Sequence, residues 1–128
     1  MSGSSILATF SSSQFGAGKI STTVAINNSG SYDRIIINLA AAGTFSAAGW
    51  TYLAPVDNSG SIFINGTTGT DTIIGSSGRD NIGTLGGNLA AGADYLFGGA
   101  DNDTLVPSSG VITGAIYDGG AGSADFYR

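Results

Sequence analysis

The chain has 128 residues, four basic and nine acidic side chains, and a formal net charge of −5. It contains neither Cys nor His, which excludes disulfides, thiol chemistry, His-based triads and most metal-hydrolase sites. The acidic balance without Lys/Arg runs argues against nucleic-acid binding, and no apolar stretch approaches the roughly 20 residues needed for a membrane-spanning helix, so membrane insertion is not expected.

Glycine occupies 22 positions, beside many Ser, Thr, Asn and Ala, a composition too rich in small and polar residues for ordinary helices. The expected fold is all-β, one domain in two parts: a β-rich region over 1–65 and a repeat region over 66–128. The start, Met1 to Phe10, has no basic region and no long apolar core, so it does not read as a conventional signal peptide. Strands are expected at Ile6–Phe10, Ile20–Ile26, Arg34–Leu39, Trp50–Ala54 and Ser61–Ile64, where Val, Ile, Thr and aromatics concentrate. Asn-Ser-Gly turns punctuate them at 28–30 and 58–60. Gly16-Ala17-Gly18-Lys19 lacks the spacing and the Ser/Thr of a phosphate-binding loop. Gly30-Ser31-Tyr32-Asp33 before Arg34-Ile35 looks like a decayed turn-Asp-strand unit. The alanine runs 40–42 and 47–48 are broken by Gly43 and Gly49, so they read as loops or strand edges. Phe45, Trp50, Tyr52 and Phe63 admit two readings: a sugar-binding platform, or the core and end plug of a small β domain. The second is the commoner use of aromatics.

From Gly66 the chain repeats a nine-residue unit: GTTGTDTII, GSSGRDNIG, then, after five residues (Thr84 to Asn88), LAAGADYLF and GGADNDTLV. Each unit has Asp sixth and an apolar residue eighth: Asp71/Ile73, Asp80/Ile82, Asp94/Leu96 and Asp103/Leu105. Gly69, Gly78 and Gly92 hold the fourth position, and Asp101 replaces glycine in the fourth unit; Asp tolerates left-handed backbone better than most residues. The second glycine is replaced by Thr67, Ser76 and Ala90, and the third unit opens on Leu89. A unit of turn plus short strand is the sequence form of a parallel β-roll. A glycine turn directs backbone carbonyls inward, and one Asp per turn adds charge. Calcium, which takes six to eight oxygens in flexible geometry, is the natural ligand. After Pro107 the pattern lapses. Val111-Ile112 and Ala115 to Tyr117 look like further strands, and the lapse amounts to a 12-residue excursion within one unit. A fifth copy, GGAGSADFY from Gly119, carries Asp125 one place late, with Asp118 just before it.

These units resemble the RTX family of secreted bacterial proteins, whose repeat is G-G-x-G-x-D-x-U-x. The resemblance implies a right-handed β-roll in which turns two repeats apart stack on one edge and share a calcium ion. Asp71 then pairs with Asp94 and Asp80 with Asp103, with the five-residue insertion bulging outward without loss of register. The implied metal ligands are Asp71, Asp80, Asp94 and Asp103, with Asp101, Asp118 and Asp125 as additions. Gly69, Gly78, Gly92 and Gly99 contribute through backbone carbonyls. The resemblance also implies secretion and folding on calcium. Magnesium would be a poor substitute because it demands tight octahedral geometry.

With every periodic Asp assigned to a turn, only Asp33 and Asp57 remain for a carboxylate pair, and an enzyme is not expected. Two functions stay open: an extracellular calcium-binding structural protein that self-associates through its open ends, or a calcium-dependent folding module of a larger RTX enzyme, toxin or adhesin. The ending at Arg128 shows no clear secretion signal, which fits a fragment or export with help from another component. An ice- or carbohydrate-binding face is a third reading, without a regular Thr-x-Thr ladder to carry it.

Overall fold

A computed structural model describes residues 7–26, 34–52, 61–83, 92–107 and 113–128. Twelve strands are formed: β1 (Leu7–Ser11), β2 (Ala25–Ile26), β3 (Arg34–Asn38), β4 (Thr44–Ser46), β5 (Thr51–Tyr52), β6 (Ser61–Asn65), β7 (Thr72–Ile74), β8 (Asp80–Ile82), β9 (Tyr95–Ala100), β10 (Thr104–Leu105), β11 (Ile116–Ala121) and β12 (Phe126–Tyr127). A 3-10 turn, Ser12–Gln14, follows β1, closed by a capping box between Ser11 and Gln14.

All strand pairings are parallel, and they coil into a β-solenoid of about four turns. One sheet runs β1-β3-β6-β8-β10-β12; a second runs β4-β7-β9-β11; a small third joins β2 and β5. Strands on both sides of residue 65 therefore share a sheet, with β6 pairing β3 on one side and β8 on the other.

The coils change width along the axis. Leu7 pairs with Arg34 and Arg34 with Ser61, 27 residues per coil, and these coils have three sides. Ile62 pairs with Asp80, 18 residues on, and from here the coils have two sides. Both periods are multiples of nine, so one unit of turn plus strand builds three sides early and two sides later.

Alternate strand residues face opposite ways, and the inward ones stack coil upon coil. Ile37, Ile64, Ile82 and Leu105 stack in one sheet. Phe45, Ile73, Leu96 and Tyr117 stack in the other. Seven of these eight are buried and Tyr117 packs partly buried against them. Burial of such side chains, each contributing about 1.5–3 kcal/mol, is the main stabilisation available to a chain without disulfides. The three-sided coils enclose more space and fill it with rings. Phe15 lies 5.6 Å from Phe45 and 5.4 Å from Trp50, centroid to centroid. Phe45 and Trp50 are thus core, as the structural reading of the aromatics holds. Phe63 points the other way, with the Arg34 guanidinium 5.3 Å over its ring.

Some elements differ from the expectation. Ile20–Ile26 is a strand only at its end, because Ile20 makes a lone bridge to Phe15 and the residues between are bends. Between the two alanine runs, Thr44–Ser46 forms β4, since Phe45 seats on Ile73. β9 and β11 continue through their glycine pairs, Gly99 opposite Gly120. Register survives both insertions: Thr72 pairs with Tyr95 across the first, and Tyr95 with Ile116 across the second. The inserted residues Thr84 to Asn88, the strand candidate Val111-Ile112, Asp33, Asp57 and the Tyr52 side chain lie outside the described residues.

Candidate functional site

The turns between sheets stack into two aspartate ladders, one along each edge. On the first edge the Asp71 backbone N–H donates to Asp94 Oδ1 at 2.8 Å. On the second the Asp80 N–H donates to Asp103 Oδ1 at 2.8 Å, and the Asp103 N–H to Asp125 Oδ1 at 2.9 Å. The pairs Asp71/Asp94 and Asp80/Asp103 are those that the resemblance implies should stack. Asp125, one place late in its turn, still reaches the ladder. The direction is uniform: each backbone donates to the carboxylate one coil later.

Asp71, Asp80, Asp94 and Asp103 are all 0% exposed. A buried carboxylate is costly unless its oxygens are matched, so the second oxygen of each decides what the site can do. For Asp71 it is matched: Oδ2 accepts from Thr67 N–H at 2.6 Å and from the Thr67 hydroxyl at 3.0 Å, while Oδ1 accepts from Gly43 N–H. Asp80 Oδ2 likewise accepts from Ser76 N–H at 2.6 Å and from its hydroxyl at 2.8 Å. The sixth-position Asp is thus capped by the side chain at the second position of its own turn. Where that position carries no hydroxyl the oxygen is idle: Asp94 Oδ2 (Ala90 in the sequence) and Asp103 Oδ2 (Gly99) are buried with no partner among the described residues, as is Asp80 Oδ1, which begins its ladder. Thr67 and Ser76, departures from the repeat, thus cap the aspartate of their own turn, a role that the Asp spacing alone passes over. The signal was there: both are hydroxyl residues four positions before an Asp.

Burial raises the Asp80 pKa from 3.8 to about 8; the Ser76 hydrogen bonds oppose the shift, and the charges of Asp103 and Asp101 add to it. Burial raises Asp103 to about 7, opposed by the Asp80 N–H and the Arg79 charge and aided by Asp125 and Asp101. Asp94 is raised by burial against the Asp71 N–H. Its charge also helps raise Tyr117, whose buried hydroxyl has no partner among the described residues.

Around these carboxylates the backbone leaves room only for glycine. A Cβ on Gly98 would collide with Asp103 Oδ2 and with the Gly119 carbonyl oxygen; one on Gly75 would collide with the Gly98 carbonyl and lie 2.7 Å from Asp80 Oδ2. At Gly75 the carboxylate oxygen beside the carbonyl, Asp80 Oδ2, already accepts two hydrogen bonds from Ser76, whereas at Gly98 the idle Asp103 Oδ2 lies close to a carbonyl oxygen of the next coil. That donor set suits a hard cation such as calcium. No three acidic side chains converge among the described residues, so a cation here would draw on carboxylates and backbone carbonyls together.

Other expected ligands fall differently. Asp101 adopts φ 72, supplying the left-handed turn residue in place of glycine, and its Oδ1 accepts from Asn102 N–H. Asp118 lies off the ladders, exposed on β11, accepting from Gly120 N–H at 2.9 Å. Its position pairs with Phe97, whose neighbour Leu96 points inward, so Asp118 sits on the outward face. Gly69 and Gly92 stack so closely that a Cβ on Gly92 would strike the Gly69 carbonyl. Gly99 has φ 113 and packs over the Ser76 carbonyl. Gly78 holds the same turn through its backbone, its N–H donating to the Ser76 hydroxyl at 3.2 Å. Asn102, unremarked in the sequence, holds the last turn: its Oδ1 accepts from Ser123 N–H, the Ser123 hydroxyl and Ala124 N–H.

Fold and turns together define a parallel β-solenoid with aspartate-stacked edges. No family model, curated protein or solved structure matches the chain.

Proposed function

We propose that the chain is an extracellular, calcium-binding structural protein of RTX type, whose glycine-turn coils fold on calcium and whose ends join copies into a filament or layer. The observation that supports the calcium reading is the idle, buried oxygen of Asp103 beside the Gly119 carbonyl, with further unpartnered carboxylate oxygens at Asp80 Oδ1 and Asp94 Oδ2. Asp80, Asp103 and Asp125 with the carbonyls of Gly98 and Gly119 are the ligands on one edge; Asp71 and Asp94 serve the other. Bound calcium would supply the positive charge that these carboxylates lack. The chain's own residues orient the carboxylates through the ladder N–H donors and exclude water by stacking.

Assembly is supported by the ends. Among the described residues β1 and β12 pair on one side only, and Leu7 (63%), Phe126 (54%) and Tyr127 (55%) are exposed there. Unpaired strand edges with apolar side chains invite another chain, and end-to-surface contacts do not close on themselves. The absence of His and Cys and the use of the ladder Asp residues in turns support a non-catalytic role.

The test is a calcium titration followed by calorimetry, circular dichroism and light scattering. Saturable binding with a gain of β-structure and a growth in particle size is expected, and magnesium is expected to be a poor substitute. Unchanged circular dichroism in excess chelator and after calcium addition would remove the calcium reading. A monomer in both conditions would remove assembly alone.

A further inference from the structure

Two side chains outside the ladders take hold of the backbone at Gly119. The Gly119 N–H donates to the Tyr127 hydroxyl at 2.7 Å, and the Gly120 N–H donates to Asp118 Oδ1 at 2.9 Å. Neither bond belongs to the pairing of β11 with β9. Register passes from Asp118 opposite Phe97 to Gly120 opposite Gly99 without a partner for Gly119. Gly120 has φ 85, a left-handed backbone that glycine adopts at no steric cost.

Three observations tie these bonds to the idle oxygen of Asp103. First, a trans peptide unit points its N–H and its carbonyl in opposite directions. The unit joining Gly119 to Gly120 has Asp118 on its N–H, so the Gly119 carbonyl at its other end is aimed away from Asp118. That carbonyl is the one that a Cβ on Gly98 would strike together with Asp103 Oδ2. Second, Gly119 has little room to swing. It is buried, and a Cβ on it would strike Asp125 Oδ2. Tyr127 fixes the peptide unit before it as Asp118 fixes the unit after it. Third, the coil before lacks both fixtures. Phe97 and Leu105 stand in register with Asp118 and Tyr127, and neither side chain can accept a hydrogen bond. There the corresponding carbonyl, that of Gly98, lies beside Asp80 Oδ2, which Ser76 already satisfies. The acceptors stand in the coil whose carbonyl faces an unpartnered oxygen.

We infer that Asp118 and Tyr127 are positioning residues for a cation at Asp103: they set the Gly119 carbonyl beside Asp103 Oδ2 and do not themselves touch the ion. The inference rests on the calcium reading above, and it gives Asp118 a role other than the direct ligand that the RTX resemblance implies. Partners one bond removed from an ion orient the groups that hold it. An acceptor on the N–H also polarises the peptide unit, which makes its carbonyl the stronger donor to a cation.

The test is calcium calorimetry on the full chain, paired with thermal melts in chelator. Tyr127→Phe and Asp118→Ala are each expected to weaken one calcium site by about tenfold, the worth of a single hydrogen bond. Asp118→Asn keeps an oxygen that can accept from the Gly120 N–H, and it is expected to restore wild-type affinity. In an Asp103→Asn background, Tyr127→Phe is expected to leave the remaining calcium binding unchanged. Asp118→Asn as weak as Asp118→Ala would overturn the inference, since Asp118 would then act as a ligand or a long-range charge. A lower Tm in chelator for Tyr127→Phe with calcium affinity unchanged would also overturn it, as the hydrogen bond would then serve the fold alone. A wild-type chain that binds no calcium removes the calcium reading and this inference together. A wild-type chain that binds calcium while Tyr127→Phe and Asp118→Ala bind it equally well removes this inference alone.

Discussion

The turn at Ser76 and the turn at Gly99 sit one above the other on the same edge, and they solve the same problem in opposite ways. In the first, a hydroxyl and an N–H from the turn itself converge on Asp80 Oδ2. In the second, glycine offers no side chain and Asp103 Oδ2 stays idle in the interior. The contrast separates two ways to stabilise a coil. A hydroxyl turn carries its own donor; a glycine turn leaves an oxygen for something outside the chain. The backbone differs with them: Gly99 (φ 113) and Asp101 (φ 72) take positive φ, whereas Ser76 and Gly78 do not.

The sharpest way to break this contrast is a pair of isosteric substitutions, each removing one buried charge. Asp103→Asn places an amide nitrogen where the oxygen is idle, so in chelator at pH 8 the variant is expected to melt higher than wild type, while its calcium-induced rise in Tm is lost. Asp71→Asn places a group that cannot accept where two donors from Thr67 already point. It is expected to melt lower, by about 1–3 kcal/mol of lost stability. Shifts of the same sign in thermal melts would mean that the carboxylates act only through overall charge.

The pH response in chelator is expected to be smaller. Asp80 and Asp103 hold protons in the folded chain up to about 8 and about 7, whereas the unfolded chain releases them near 3.8. Folding therefore takes up protons between these limits. The contribution of these groups to stability is fully present below pH 4 and is lost as pH rises through 7 to 8. Tm in chelator should fall between pH 5 and pH 8.5. With saturating calcium the trend should reverse, because metal and proton compete for the same oxygens. A metal-free chain as stable at pH 8.5 as at pH 5 would contradict the burial of these two carboxyls.

Ser76→Gly is expected to have the smallest effect, turning the first kind of turn into the second. Loss of one hydroxyl hydrogen bond costs about 1 kcal/mol in chelator. The gain in Tm on adding calcium should grow, since Asp80 Oδ2 keeps only the backbone N–H of residue 76 as donor. An unchanged calcium response would show that the hydroxyl and the cation do not share that oxygen.

Much of the ladder was legible in the sequence because the chemistry repeats with the chain. A spacing of Asp sixth and an apolar residue eighth fixes which oxygens stack and which side chains face inward, insertions notwithstanding. The 27-residue period of the first coils was harder to read, although Arg-Ile-Ile-Ile-Asn at 34–38 and Ser-Ile-Phe-Ile-Asn at 61–65 mark it. Asn65 Nδ2 donates to Asn38 Oδ1 at 2.8 Å there, so the register is held by amides rather than acids, and a search for turn aspartates misses it. β4 escaped because three residues carry too little periodicity; only the neighbouring Ile73 makes Phe45 a strand residue.

The uniform direction of the ladders has a kinetic consequence. Each finished coil exposes N–H groups at its Asp position, and the carboxylates that accept them arrive one coil later. The widest separation between paired residues is 28, from Thr44 to Thr72, so no strand waits for a distant partner. Stacked coils interact with their neighbours alone. Coils are therefore expected to add to a formed neighbour, each templating the next. The turns of Asp94 and Asp103 are the hardest to add, since each brings a buried carboxylate oxygen without a partner among the described residues.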